Sequence, residues 1–206
     1  LASLPYVLSF IILNSLNILG VFAATRILGE EKRWALALLT YQMFYVLFYG
    51  NFVGILIGGL ALLWWGLTHK RWHLAGLGLA LVLTKYQLGI SFGLILLLMA
   101  VMSWKNRLIV FVVPFITLLV SLLIYPLWPL DSLRIILANP PNDLGNISLW
   151  QWLGPSVLIL WLPPLLLPLS AQKRVIALAA TATMAMPYFQ QTDLLALFVL
   201  PLGWLP

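Results

Sequence analysis

Lys85 is the residue of this chain best placed to do chemistry. It stands in Thr84-Lys85-Tyr86-Gln87, a polar knot between two apolar runs, one from Trp72 to Leu83 and one from Leu88 to Trp104. An ammonium set among apolar residues at membrane depth is costly to hold, and such a residue marks a functional site by default. The group it wants is an anion, and a lipid phosphate is the anion available there. The competing reading is a snorkelling lysine that only anchors a helix end. Asn51 and Gln87 carry amides that suit sugar hydroxyls, or equally well cap and join helices. Arg134 is a second cation set apart from the basic clusters. Asp193 follows Pro187-Tyr188-Phe189-Gln190-Gln191-Thr192 and opens the last apolar segment, where its simplest role is an N-cap favoured by the helix dipole.

Such residues need a scaffold, and the composition names its kind. The 206 residues are 63% hydrophobic and 8% charged, with a mean hydropathy of +1.06. That is the composition of a polytopic membrane protein, not of a soluble domain. The absence of cysteine excludes disulfide scaffolds, thiolate nucleophiles and cysteine-ligated metals. A net charge of +6 sits in short clusters between apolar runs, which is a topology signal and not a nucleic-acid stripe. No charged leader or cleavage site is visible ahead of Leu1, so the chain is expected to be a fragment of a longer protein, forming one transmembrane domain over residues 1–206.

A spanning helix takes about 20 apolar residues. Nine segments qualify: 4–28, 34–49, 51–68, 72–86, 88–104, 108–129, 149–169, 174–187 and 193–205. The expected fold is therefore an all-α transmembrane bundle of about 8–9 membrane segments, the shorter ones tilted, broken or re-entrant. Placing the end of the first segment in the cytoplasm puts Arg26, Lys32, Arg33, Lys70, Arg71, Lys105, Arg107, Lys173 and Arg174 on that side, as the positive-inside rule asks. Lys85 and Arg134 fall outside, with Asp131, Asp143 and Asp193. Trp34, Trp64, Trp72, Trp104, Trp128, Trp150 and Trp204 mark segment ends as an aromatic belt does. From Trp72 to Lys85 a helix climbs roughly 20 Å, short of a roughly 30 Å core, so Lys85 is expected in a recess below the outer surface.

The cytoplasmic loops are too short for a nucleotide-binding domain, and no Walker or Rossmann glycine pattern occurs. The long connection, Leu130 to Ser148, is external; Asp131-Ser132 is expected to cap a short interfacial helix carrying Arg134. Gly54, Gly58 and Gly59 read as a close-packing face, and Asn14 and Asn17 as interhelical hydrogen bonds. His69 and His73 flank Lys70-Arg71 without a carboxylate nearby, so no metal site and no cofactor is expected.

Taken together, these residues resemble the integral-membrane glycosyltransferases of GT-C type, and within them glycosyltransferase family 87, whose members are polyprenol-phosphate-mannose-dependent mannosyltransferases. Gly50-Asn51-Phe52 is similar to that family's Gly-Gln/Asn opening of a span. Ala75-Gly76-Leu77-Gly78 followed by Lys85-Tyr86-Gln87 resembles its Ala-Gly-x-x-x-Gly…Lys-Pro-Gln element, with Gly78 early and Tyr86 in place of proline. Asn146-Ile147-Ser148 before a span, and Asp193 to Pro201, continue the likeness. The resemblance implies a GT-C-like fold, a lipid-linked sugar donor within membrane lipids, an outer-face site and inverting transfer of a hexose, mannose in the family, to a hydroxyl. Its motifs cover Lys85, Gln87, Asn51 and Asp193, and a polyprenyl phosphate donor would set its phosphate near Lys85 and Arg134, so these five are the expected substrate contacts. The family's general base is an aspartate in the first outer loop, which would precede Leu1. Asp131, Asp143 and Asp193 do not match that position, so the catalytic base is left unassigned.

The residues also allow a non-catalytic transmembrane subunit packed against other membrane subunits, or a lipid or solute transporter with a helix broken at Lys85. A multi-pass protein of a bacterial plasma membrane is the expected setting for the leading reading.

Overall fold

The computed structural model describes residues 4–27, 33–85, 88–138, 146–186 and 189–198. All its regular elements are helical. Helix α1 (Tyr6–Ile27) is followed by the short α2 (Arg33–Leu38), α3 (Tyr41–Tyr49), α4 (Val53–Thr68) and α5 (Trp72–Leu83). A π-helical turn, Gly89–Leu94, leads into α6 (Ile95–Met99), and α7 spans Trp104–Ile124. After α8 (Trp128–Ala138) come α9 (Trp150–Leu153), a 3-10 stretch at Gly154–Trp161, α10 (Leu162–Leu166), α11 (Ala171–Ala185) and a closing 3-10 helix, Gln191–Phe198.

Among the described residues, α1 and α7 are each long and apolar enough to cross a membrane alone, and α3 with α4 forms a pair bent by 120° at its break. Segments 34–49 and 51–68 thus meet at a sharp turn over residues 50–52. The segment expected at 149–169 is split into three short helical pieces, as Pro155, Pro163 and Pro164 withdraw backbone donors along it. The helix expected to start at Asp131-Ser132 instead starts at Trp128, with Asp131 in its first turn.

Glycines decide the packing of α1, α4, α5 and α7. Lipid tails are as apolar as leucine, so helices associate in a membrane by close backbone approach and van der Waals contact. A Cβ added at Gly54 would lie 2.5 Å from the Asn17 carbonyl oxygen, and one at Gly20 2.2 Å from that of Gly54. One at Gly78 would meet the Leu63 N–H nitrogen at 2.4 Å, and one at Gly76 the Val110 carbonyl at 2.7 Å. These contacts fix directions. Gly54 meets Asn17 and Gly58 meets Gly20, so α1 runs parallel to α4; Gly66 against Ala75 and Gly78 against Leu63 make α5 return. Gly76 against Val110, with Thr84 and Ser121 further along lining one space, sets α7 parallel to α5.

The ends therefore differ in charge. Arg26, Lys70, Arg71, Lys105 and Arg107 gather where α1 and α4 finish and where α5 and α7 begin. Arg107 reaches back to the Leu97 and Ala100 carbonyls that close α6. α11 joins this arrangement, with Leu178 and Ala182 against Ile95. Its last turn is held at Met184 by Ser148 and Leu149, next to the Asn146–Phe189 contact, so Lys173 and Arg174 in its first turn point toward the basic end. The buried core runs through Val46, Leu56, Leu60, Leu63, Leu79, Phe92 and Phe189. Most of α7 is exposed, with Val110 its buried residue, as a lipid-facing helix would be.

Candidate functional site

At the end opposite the basic clusters the backbone is broken twice, and both breaks are held by side chains. Thr40 caps α3 by accepting from the Met43 N–H at 3.2 Å. Gly50 ends α3 at φ +66°, a left-handed cap that a side chain would strain. The chain then turns through Asn51-Phe52 into α4. Buried Asn17 spans this turn: its Nδ2 donates to the Asn51 carbonyl at 2.6 Å, and its Oδ1 accepts from the Ile55 N–H at 3.3 Å. Asn14 adds a bond to the Leu47 carbonyl at 3.0 Å. In a setting without water these amides supply the partners that a broken helix loses.

The second break is the hairpin between α5 and the π-helical turn. Lys85 donates its N–H to the Val82 carbonyl, while its own carbonyl accepts from Leu88 and Gly89 at 3.0 and 2.9 Å. It thus closes one helix and opens the next. A π-helical turn here is a local departure of the sort found at functional sites.

The Lys85 ammonium, 9% exposed, pairs with the carboxylate of Asp193, which is 0% exposed. These residues are 108 positions apart in the sequence. The second oxygen of Asp193 accepts from the Gln190 N–H at 3.1 Å, the side-chain half of a capping box at the start of the last 3-10 helix. Asp193 is therefore the third residue of that helix and not the N-cap expected of it; from within the first turn it serves the N–H of the cap residue Gln190 while acting as counter-ion to Lys85. The expectation that Lys85 takes a lipid phosphate as its anion is revised in one respect: a protein carboxylate already neutralises it. Among the described residues Asp193 is its one side-chain partner, so one of three ammonium donors is engaged.

Asn51 joins this group through Thr192, its Nδ2 donating to the Thr192 Oγ1 at 3.4 Å. Asn146 fastens the segment from behind. Its Oδ1 accepts from the Ser148 and Phe189 N–H groups at 3.0 and 3.1 Å, and the Ile147 N–H donates to the Phe189 carbonyl at 2.9 Å. Phe189 in turn meets Phe92 edge to face, with centroids 6.3 Å apart. Lys85, Asp193 and Asn51 are thus brought together. Arg134 is not part of the group: it is 77% exposed and pairs with Asp131 at 3.3 Å, while Asp131 also accepts from the Tyr125 hydroxyl. Gln87 and Asp143 lie outside the described residues.

A cavity of about 570 Å³ lies between α5 and α7, lined by Ala80, Leu83, Thr84, Phe111, Phe115 and Trp128 among others; Thr84 precedes Lys85 in sequence, and Lys85 is not itself among the lining residues. The hydroxyls of Thr84, Thr117 and Ser121 donate to carbonyls of their own helices, which leaves an apolar lining. The two histidines do not pair; His69 stacks on Trp65 with centroids 4.7 Å apart.

Thr192 and Asn146 were not candidates on sequence grounds. Thr192 gives no signal, and Asn146-Ile147-Ser148 entered only as part of the family likeness, with no role given to Asn146; both Asn146 and Ser148 are buried. Asn14 and Asn17, polar residues one turn apart on an apolar helix, did carry a readable signal.

Membrane-length helices, a sharply bent helix pair and a buried ion pair define an integral membrane protein with basic clusters at one end and the Lys85–Asp193 group at the other. A family model for glycosyltransferase family 87 matches the chain over residues 1–206. The chain belongs to that family, and is a glycosyltransferase by that membership. No curated protein and no solved structure matches it.

Proposed function

We propose that this chain transfers a hexose, with mannose the family's choice, from a polyprenyl-phosphate-linked donor to a hydroxyl acceptor at the outer face of a membrane. The observation that carries the reading is a buried ammonium, Lys85, one residue from an apolar cavity that Thr84 lines. A lipid phosphate has both parts: an anion and a long apolar chain. In this reading the chain lies in the cavity between α5 and α7 and the phosphate meets Lys85. Asn51 and Gln87 offer amides to the sugar, Asp193 shapes the pocket, and Arg134 flanks the entrance from α8.

In inverting transfer the acceptor hydroxyl loses its proton to a base and its oxygen bonds to the anomeric carbon. The bond from that carbon to the phosphate oxygen breaks, and the electron pair leaves with the phosphate, which gains one negative charge. A fixed cation beside that oxygen stabilises charge that exists only as the bond breaks, which is where an electrostatic contact aids rate.

Lys85→Met alone would strand the Asp193 carboxylate, so the test uses Lys85→Met/Asp193→Asn, which is neutral as the native pair is. Loss of a charge-assisted contact of about 1.5–3 kcal/mol predicts roughly ten- to hundredfold weaker donor binding. It is read as transfer from a polyprenyl-phosphate hexose in nanodiscs at matched insertion. Native donor KM and native rate in the double variant would remove Lys85 from the phosphate site.

A further inference from the structure

The buried group holds one cation and already holds one anion. Lys85 is neutralised by Asp193, and Asp193, fully buried, has no second cation within reach among the described residues. Its remaining contact is the neutral Gln190 N–H. If a phosphate takes Lys85, the group would carry one cation and two anions in a low-dielectric setting. A buried carboxylate that loses its ion partner is expensive enough to take a proton instead.

Resting on the phosphate reading above, we propose that a lipid phosphodiester binds at Lys85 by exchange with Asp193, and that Asp193 takes up one proton from solvent as it does so. The empty site is Lys85⁺ with Asp193⁻; the filled site is Lys85⁺ with the phosphodiester anion and a neutral Asp193 carboxyl. Charge is conserved at one cation and one anion in both states. The Lys85–Asp193 pair is then a resident placeholder, keeping a counter-ion against the buried Lys85 side chain and excluding ligands without an anion to offer.

Few other groups can take that proton. The two helices packed most closely on the Gln191–Phe198 helix are α3 and α4. α3 carries Tyr41, Tyr45 and Tyr49 as its titratable residues, and α4 carries no titratable side chain between Val53 and Thr68. On α5 the one such residue is His73, in the first turn at the far end; the π-helical turn has none. Lys85 is the charged residue facing Asp193.

The experiment is calorimetric titration of the full-length protein in nanodiscs with dihexadecyl phosphate, a phosphodiester of fixed charge between pH 5 and 9. Hexadecanol serves as the uncharged control. Repeating the titration in buffers of different ionisation enthalpy counts protons. The expected result is about one proton taken up per lipid, with affinity rising about tenfold per unit fall in pH. In Asp193→Asn the proton uptake and the pH dependence should both vanish. Charge-dependent binding by the native protein with no proton uptake overturns the exchange while the phosphate reading stands. Uptake that persists in Asp193→Asn also overturns it, since the proton then goes elsewhere. Equal binding of hexadecanol and the phosphodiester sinks the phosphate reading and the exchange with it. Should Asp193→Asn fail to fold, the native proton count and pH slope still decide.

Discussion

At Lys85 and Asp193 two charges have been taken out of water to meet each other, a costly arrangement that a well-packed apolar pair would often match in stability. The pair is therefore weak evidence for stabilisation and stronger evidence for use. Its energetics are sharply asymmetric. Removing either partner alone leaves the other buried without its counter-ion, to be held as a bare charge or neutralised at a cost, whereas removing both charges together leaves none. Lys85→Met and Asp193→Asn are each expected to destabilise the fold by about 3–5 kcal/mol. Their combination should cost much less than the sum, a positive coupling in the double-mutant cycle. Equilibrium unfolding in mixed micelles reads all four corners. Additive losses would mean that the two residues do not share one interaction. The stability cycle and the donor-binding test then report on different things, because the double variant restores neutrality but not a cation for the phosphate.

At the scale of elements, the site is only as well placed as the crossing of α1 on α4. Asn17 can bond both the Asn51 carbonyl and the Ile55 N–H because Gly54 lets the α1 backbone sit against α4. Gly54→Val should force the helices apart, break both Asn17 bonds and release the Asn51–Thr192 contact. It is expected to lower thermal stability by about 1–3 kcal/mol and to reduce transfer. A variant with native melting and native activity would show that the crossing does not position the turn. This dependence explains what could be read in advance. The apolar runs, the packing glycines and the interhelical asparagines were legible because each is a local composition or spacing on one helix. The break at Gly50-Asn51 was legible in position, between segments 34–49 and 51–68, but its 120° angle was not; nor were the π-helical turn and the split of 149–169, because apolar content alone does not say how a helix yields. The Lys85–Asp193 pair was hidden for another reason. Both residues were singled out, one as a phosphate ligand and one as a cap, but nothing in a single sequence signals that residues 108 positions apart meet.

For the molecule as a whole, the arrangement that matters is the separation of charge between its two ends. Following the chain through the parallel α1–α4 pair, the returning α5 and the parallel α7 places Arg26, Lys70, Arg71, Lys105 and Arg107 together. The Lys85 group, Trp128 and the Asp131–Arg134 pair lie at the opposite end. A lipid-linked donor can use the site as proposed only if these ends lie on opposite sides of the bilayer, with the basic end held in the cytoplasm. The absence of cysteine in the chain makes this direct to test. Thr68→Cys and Val101→Cys report on the basic end, Leu127→Cys and Ser132→Cys on the other, and none of the four removes a charge that sets orientation. In sealed, oriented vesicles a membrane-impermeant maleimide should label the first pair only from the cytoplasmic side and the second pair only from outside. Labelling of Thr68→Cys and Ser132→Cys from the same side would mean that the chain does not carry its two ends across the bilayer. The cavity between α5 and α7 would then no longer lie along the path of a lipid tail, and Lys85 would lose the phosphate assigned to it.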